Sequence, residues 1–169
     1  MKLLSLDQSS RGTGYAFFDN GKLMQSGTIS LSDDDIGNRL VQLRDTINQF
    51  ITEWEIDYVI YEDIQLQDKI KNVGAADGVN NVATFKILAE VIGVLEELFA
   101  ELNIAHSAVL ATQWKSAVGI KGKYRAEQKQ NAQAYVQKHY GLAVSEDESD
   151  AICIGSYYIT KTDVLDWSD

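Results

Sequence analysis

Residues Leu3 to Phe18 read "LLSLDQSSRGTGYAFF". A short apolar run ends on Asp7, a polar segment carrying two glycines follows, and a second apolar run begins. Short apolar runs bounded by turn residues read as buried strands. Asp7 therefore sits where a strand stops. An acid at that place can serve a turn, a phosphate-binding loop or a metal ion, and the rest of the chain has to decide.

Working outward, "GTGYAFFDNGKLMQSGTISL" reads as a hairpin whose turn is Asp19-Asn20-Gly21. Gly12 and Gly14 are read as the means of turning back into it. "SDDD" supplies an N-cap and first-turn acids for a helix over Ile36 to Glu53, in which Ile36, Leu40, Leu43, Ile47, Phe50 and Ile51 recur at helical spacing. "DYVIYEDI" is a strand whose apolar part ends at Glu62. Asp63 to Gly78 is polar and loop-like. Val79 to Leu102 reads as one long helix, apolar nearly all round and therefore covered on more than one side. "AHSAVLA" is a strand, "TQWKSAVG" a short helix and "IKGKY" a basic loop. Arg125 to Tyr140 and Glu146 to about Thr160 are helical. A meander followed by alternating strands and helices gives an α/β fold: a mixed five-stranded sheet, antiparallel meander plus parallel strands, with helices on both faces. Residues 1–160 form one domain and 161–169 an acidic tail.

The bulk numbers agree with that size. A chain of 169 residues buries about 70% of its unfolded surface as one domain. Hydrophobic residues make up 45%, which excludes global disorder. No apolar run reaches the ~20 residues of a membrane span. The N-terminus opens on a strand-like run with no leader pattern, so no secretion signal is read. Cys153 is the one cysteine; no internal disulfide is possible, and a reducing cytoplasmic setting is expected.

The net charge is −10, which alone argues against a nucleic-acid partner. Its distribution argues the other way. From Lys115 to Lys138, the six cations Lys115, Lys121, Lys123, Arg125, Lys129 and Lys138 face only Glu127. That segment carries +5 and leaves −15 to the rest of the chain. Such segregation is either a solvated helix face or a contact surface for an anion.

Four acids then stand out by position: Asp7 and Glu62 end strands, and Asp147 and Asp150 share one face at the start of the last helix. Alone, each has an ordinary reading as a turn residue or a helix-dipole partner. Together they are more specific. Parallel strands would set Asp7 beside Glu62, and the helix would complete the cluster. Four like charges repel unless cations neutralise them. Hard carboxylate oxygens suit magnesium, or manganese in its place. Two ions about 3.5–4 Å apart activate water and stabilise the leaving oxygen in phosphodiester hydrolysis.

The segments "LDQSSRGTGYAF", "VIYEDI" and "EDESDAICIGSYY", in this order over roughly residues 1–160, resemble the RuvC-type Holliday-junction resolvases of the RNase H-like nuclease superfamily. The resemblance implies a metal-dependent, structure-selective endodeoxyribonuclease of DNA recombination and repair. It would be a homodimer, paired through the 79–102 helix, that nicks opposed strands of a four-way junction. It implies that Asp7, Glu62, Asp147 and Asp150 bind two ions. Family members carry one supporting lysine before the penultimate helix and another early in that helix, and by pattern the resemblance gives these roles to Lys115 and Lys129. Lys69, Lys71, Lys121, Lys123 and Arg125 join these two as DNA contacts, in the cytoplasm of a bacterial or phage-infected cell.

Two departures bear on selectivity. Family members often carry an aromatic residue three positions after the glutamate, where this chain has Gln65, and no aromatic lies between Asp63 and Asn81. The overall acidity points to a weaker or more salt-sensitive grip. Both lead to the expectation of relaxed preference, with forks cut as well as four-way junctions. Three other readings compete. A ribonuclease H or transposase-like core shares the acid logic. A non-catalytic adaptor would use the same fold to bind DNA. The first strands also resemble the phosphate loop of actin-like nucleotide-binding proteins, which need a second domain that this chain has no room for. Cys153, Trp54 and Trp114 are read as packing residues, His106 and His139 as exposed or structural, and Trp167 lies in the acidic tail.

Overall fold

The computed structural model describes residues 1–64 and 75–166, with side chains for 1–64 and 82–162. The strands are β1 (Lys2–Asp7), β2 (Gly12–Asp19), β3 (Lys22–Ser30), β4 (Tyr58–Glu62) and β5 (Ala105–Val109). The helices are α1 (Ile36–Glu53), α2 (Ala75–Glu101), α3 (Ala111–Ala117), α4 (Arg125–Tyr140) and α5 (Glu146–Asp166). The sheet order is β3-β2-β1-β4-β5. β1 to β3 form the antiparallel meander, and β4 and β5 run parallel to β1.

The hairpin turns at Asn20 and Gly21, both with positive φ, 47° and 78°. Asn and Gly tolerate that conformation, and two such residues make the tight turn that matches strand twist. α1 starts where the Asp35 side chain accepts the Asn38 backbone N–H at 2.9 Å, as an N-cap should.

Side-chain alternation assigns the two faces. Leu4, Leu6, Val59 and Tyr61 pack with Leu43, Ile47 and Ile51 of α1 and with Val91, Leu95, Leu98 and Phe99 of α2. Leu3, Ile60 and Phe18 face the other way, onto Trp114 of α3, Val136 of α4, and Ala151, Ile152 and Cys153 of α5. Helices on both faces and the mixed sheet are as expected.

Three details differ from the reading of the sequence. α2 begins at Ala75, four residues before Val79; Ala75 and Ala76 are strong helix formers that carry Asp77 and Gly78 with them. α5 continues past Thr160 to Asp166, with the Thr160 and Thr162 hydroxyls bonded back to Ser156 and Tyr158 carbonyls at 2.9 and 3.1 Å. Gly12 and Gly14 do not make a turn. Both lie inside β2 with ordinary φ, and their missing Cβ atoms serve another purpose, described below. Among the described residues no helix is long and apolar enough to cross a membrane.

Candidate active site

Alternation along β1 puts Leu3, Ser5 and Asp7 on the face covered by α3, α4 and α5. Ser5 Oγ confirms the contact by donating to the Ala151 carbonyl of α5 at 2.7 Å. Alternation along β4 does the same for Ile60 and Glu62. The parallel register pairs Leu6 with Tyr61, so Asp7 and Glu62 are the next residues on neighbouring strands. On its other side Asp7 is paired with Gly14 of β2. A Cβ on Gly14 would overlap the Asp147 carbonyl, and one on Gly12 would stand 3.1 Å from Asp147 Oδ2. The glycines therefore let the first turn of α5 lie directly on β2. Three chain segments bring the predicted acids Asp7, Glu62, Asp147 and Asp150 to one end of one face.

Their electrostatics report that proximity. Burial pushes the Asp7 carboxyl well above its usual range, and the charges of Glu62, Asp150 and Asp147 push it further; Lys115 opposes them. Burial also raises Glu62, against a hydrogen bond from Trp114 and the charges of Lys115 and Arg125. Asp150 is pushed up to about 6, first by burial; Lys115 and Lys129 pull it down while Glu62 and Asp147 push it up. Asp150 Oδ1 is buried without a hydrogen-bond partner. An ionised carboxylate left in that condition is costly.

Among the described residues no three acidic, His or Cys side chains are already drawn together as a ligand set around one point. The donor chemistry nonetheless fits a hard divalent cation: carboxylate oxygens only, one of them orphaned, on groups that repel one another.

The cations divide. Lys115 lies on α3, the short helix read in "TQWKSAVG", and is held by its ammonium donating to Gln128 Oε1 at 3.3 Å, with the Trp114 ring 5.1 Å away. Its charge reaches Asp7, Glu62 and Asp150. Lys129 is in α4 and forms an ion pair with Glu146 at the start of α5. Lys121, Lys123 and Arg125 are exposed around the start of α4. Lys69, Lys71 and Gln65 lie outside the described residues, as does Trp167.

Cys153 is buried in α5, and burial raises its thiol well above the usual range; it packs, as read. Trp54 stacks on Phe17 and Phe50 with ring centroids 5.0 and 4.3 Å apart. His106 and His139 are exposed and away from the acids in sequence. The reading of Trp114 was incomplete. It is fully buried, and its Nε1 also donates to Glu62 Oε2 at 2.7 Å. Gln8 was passed over: its Nε2 donates to the Glu62 carbonyl and its Oε1 is buried without a partner. Only its place beside Asp7 could have singled it out.

The family model described as crossover junction endodeoxyribonuclease RuvC matches residues 3–156. No curated protein sequence matches the chain. Among solved structures, T. thermophilus RuvC in complex with Holliday junction substrate is similar with a TM-score of 0.71 at 14% identity, over 97% of this chain and 96% of that one. Fowlpox virus resolvase, in complex with substrate Holliday junction DNA, gives 0.61 at 14% identity over 96% and 99%. The yeast mitochondrial Holliday junction resolvase Ydc2 gives 0.54 at 13% identity over 98% and 80%. At these identities the structures speak for the fold. The family match spans nearly the whole length and takes in Asp7, Glu62, Asp147 and Asp150, and on it the chain belongs to the RuvC family of crossover junction endodeoxyribonucleases.

Proposed function

We propose that this structure-selective, junction-resolving nuclease cuts four-way junctions and other branched DNA at the cluster of Asp7, Glu62, Asp147 and Asp150. The observation that carries the assignment is that burial, with the charges of neighbouring acids added, holds Asp7 and Asp150 above the ordinary carboxylate range while Asp150 Oδ1 stays buried and unpartnered. Asp7, Glu62, Asp147 and Asp150 would hold two divalent ions, magnesium with manganese as a substitute. When bound, such ions activate water and stabilise the leaving oxygen of a phosphodiester.

The chain's own residues prepare that site. β1 and β4 hold two acids on a rigid sheet, and Trp114 orients one of them. Lys115, restrained by Gln128, supplies a cation against charge developing on the phosphate. Lys129, Lys121, Lys123, Arg125, Lys69 and Lys71 track the backbone and make binding salt-dependent. A homodimer through α2 would present two such sites to opposed strands; support comes from Val82, 56% exposed on a helix otherwise rich in apolar residues. The cytoplasm is the proposed setting for this work.

The test is cleavage of a four-way junction, a fork and a linear duplex with magnesium, beside Asp7→Asn. Nicking of junction and fork over duplex, lost in Asp7→Asn while binding persists, is expected. Activity on the four-way junction alone overturns the relaxed preference. Cleavage unaffected by Asp7→Asn overturns the site.

A further inference from the structure

Tyr124 is 65% exposed, and among the described residues it is the one Phe, Tyr or Trp that is exposed rather than buried or half-buried. It stands at the N-cap of α4 in extended conformation, φ −112° and ψ 151°, and its side chain makes no capping bond. Ser, Thr, Asp or Asn there would cap the helix and stabilise it. The position therefore forgoes a cap and exposes an apolar ring, and both cost something unless the ring meets a partner.

The surroundings say what partner. Lys121, Lys123 and Arg125 lie within three residues on either side, and Lys123 Nζ stands 5.5 Å from the ring centroid. The charge of the next residue, Arg125, reaches Glu62. The loop is fixed: Asn131 Nδ2 donates to the Lys121 carbonyl at 2.6 Å, Gln128 Nε2 to the Gly122 carbonyl at 3.0 Å, and the Lys123 amide to Glu127 Oε2 at 2.9 Å. Gly122 has φ +153°, and a Cβ there would press on Gln128 at 3.0 Å. Gln128 in turn holds Lys115 beside the acids. The ring is thus carried on a pre-ordered loop tied to the cleavage centre.

An apolar π-face framed by cations fits an unpaired nucleobase flanked by phosphates. A base in a duplex has both faces covered, whereas at a branch point pairing and stacking can lapse. We infer that Tyr124 is a stacking platform for an unpaired base at the branch point, and that it supplies part of the selectivity for branched over linear DNA. This rests on the branched-DNA reading above and adds a contact outside the acid cluster. A ring on a fixed loop binds with little ordering cost, and one base–aromatic stack corresponds to roughly five- to hundredfold in affinity.

The test uses the full chain without divalent ions, so that binding is read apart from cleavage. The probes are a four-way junction with 2-aminopurine at the branch nucleotide and a linear duplex of equal length. Wild-type chain is expected to bind the junction and change the probe's fluorescence. Tyr124→Ala is expected to lose five- to hundredfold on the junction, less than twofold on the duplex, and the fluorescence change. Tyr124→Phe should restore all three, which excludes misfolding and any role of the hydroxyl. Equal loss on both substrates, or no loss, overturns the stacking inference and leaves the nuclease reading standing. A wild-type chain that binds neither probe overturns both.

Discussion

Trp114 Nε1 donates a 2.7 Å hydrogen bond to Glu62 Oε2, so a fully buried core side chain also fixes a carboxylate of the site. This N–H stabilises the ionised form of Glu62 against burial. Trp114→Phe keeps most of the ring and removes the donor. Glu62 then holds its proton to higher pH. The acid limb of the pH–rate profile is expected to move upward, and half-maximal activation to need several-fold more magnesium at neutral pH. An unchanged profile, alongside the melting loss of roughly 1–3 kcal/mol expected for a core change, would confine Trp114 to packing.

Asp150 makes the unliganded protein pH-sensitive. Its folded value is about 6 against an ordinary 3.8. Between those values the native state binds the proton more tightly than the unfolded chain, so stability falls as pH rises through the window. About two pKa units correspond to at most ~3 kcal/mol. In chelator, the wild-type melting temperature relative to Asp150→Asn is expected to drop between pH 4 and pH 7. Magnesium at pH 7 should restore more stability to the wild type than to the variant, because only the wild type regains a partner for that carboxylate. Parallel melting curves for the two proteins across pH would sink the assignment.

Gly14 makes the site possible at the level of backbone packing. A methyl group there would overlap the Asp147 carbonyl, whereas at Gly12 it would meet the end of the Asp147 side chain at 3.1 Å. Gly14→Ala must displace the start of α5 from β2; Gly12→Ala needs only a small rotation of a side chain. Overpacking of the first kind costs about 1–3 kcal/mol. Calorimetry and nicking rate together should show Gly14→Ala impaired in both by clearly more than Gly12→Ala. Equal effects would mean that α5 does not depend on this close approach.

Much of this site was legible in the sequence because strands alternate and helices repeat. Asp7 and Glu62 at strand ends, and Asp147 and Asp150 three apart, follow from period alone. The role of Gly14 was not legible, since a glycine in an apolar run looks the same whether it turns the chain or admits a neighbouring helix. Trp114 looked like core and is core; its second role depends on where a single N–H points. The start of α2 was missed because Asp77 and Gly78 are weak local signals that the helix overrides. Contacts between distant segments, such as Gln8 with the Glu62 carbonyl, leave no trace in spacing.

The Lys129–Glu146 ion pair ties α4 to α5, with the side chains 24% and 51% exposed. Such a pair contributes little to stability, about 0–1 kcal/mol, yet it occupies a cation close enough to act on Asp150. If Lys129 serves DNA phosphate, Glu146 competes with the substrate for it. Glu146→Gln removes the competitor and keeps the shape. Binding of branched DNA at low salt is expected to tighten a few-fold, with melting nearly unchanged. Lys129→Gln should weaken binding and reduce the slope of log affinity against log salt by about one. The double variant should behave as Lys129→Gln, because Glu146 acts only through the lysine it holds. Tighter binding in the double variant than in Lys129→Gln alone would show instead that Glu146 merely repels the phosphate backbone.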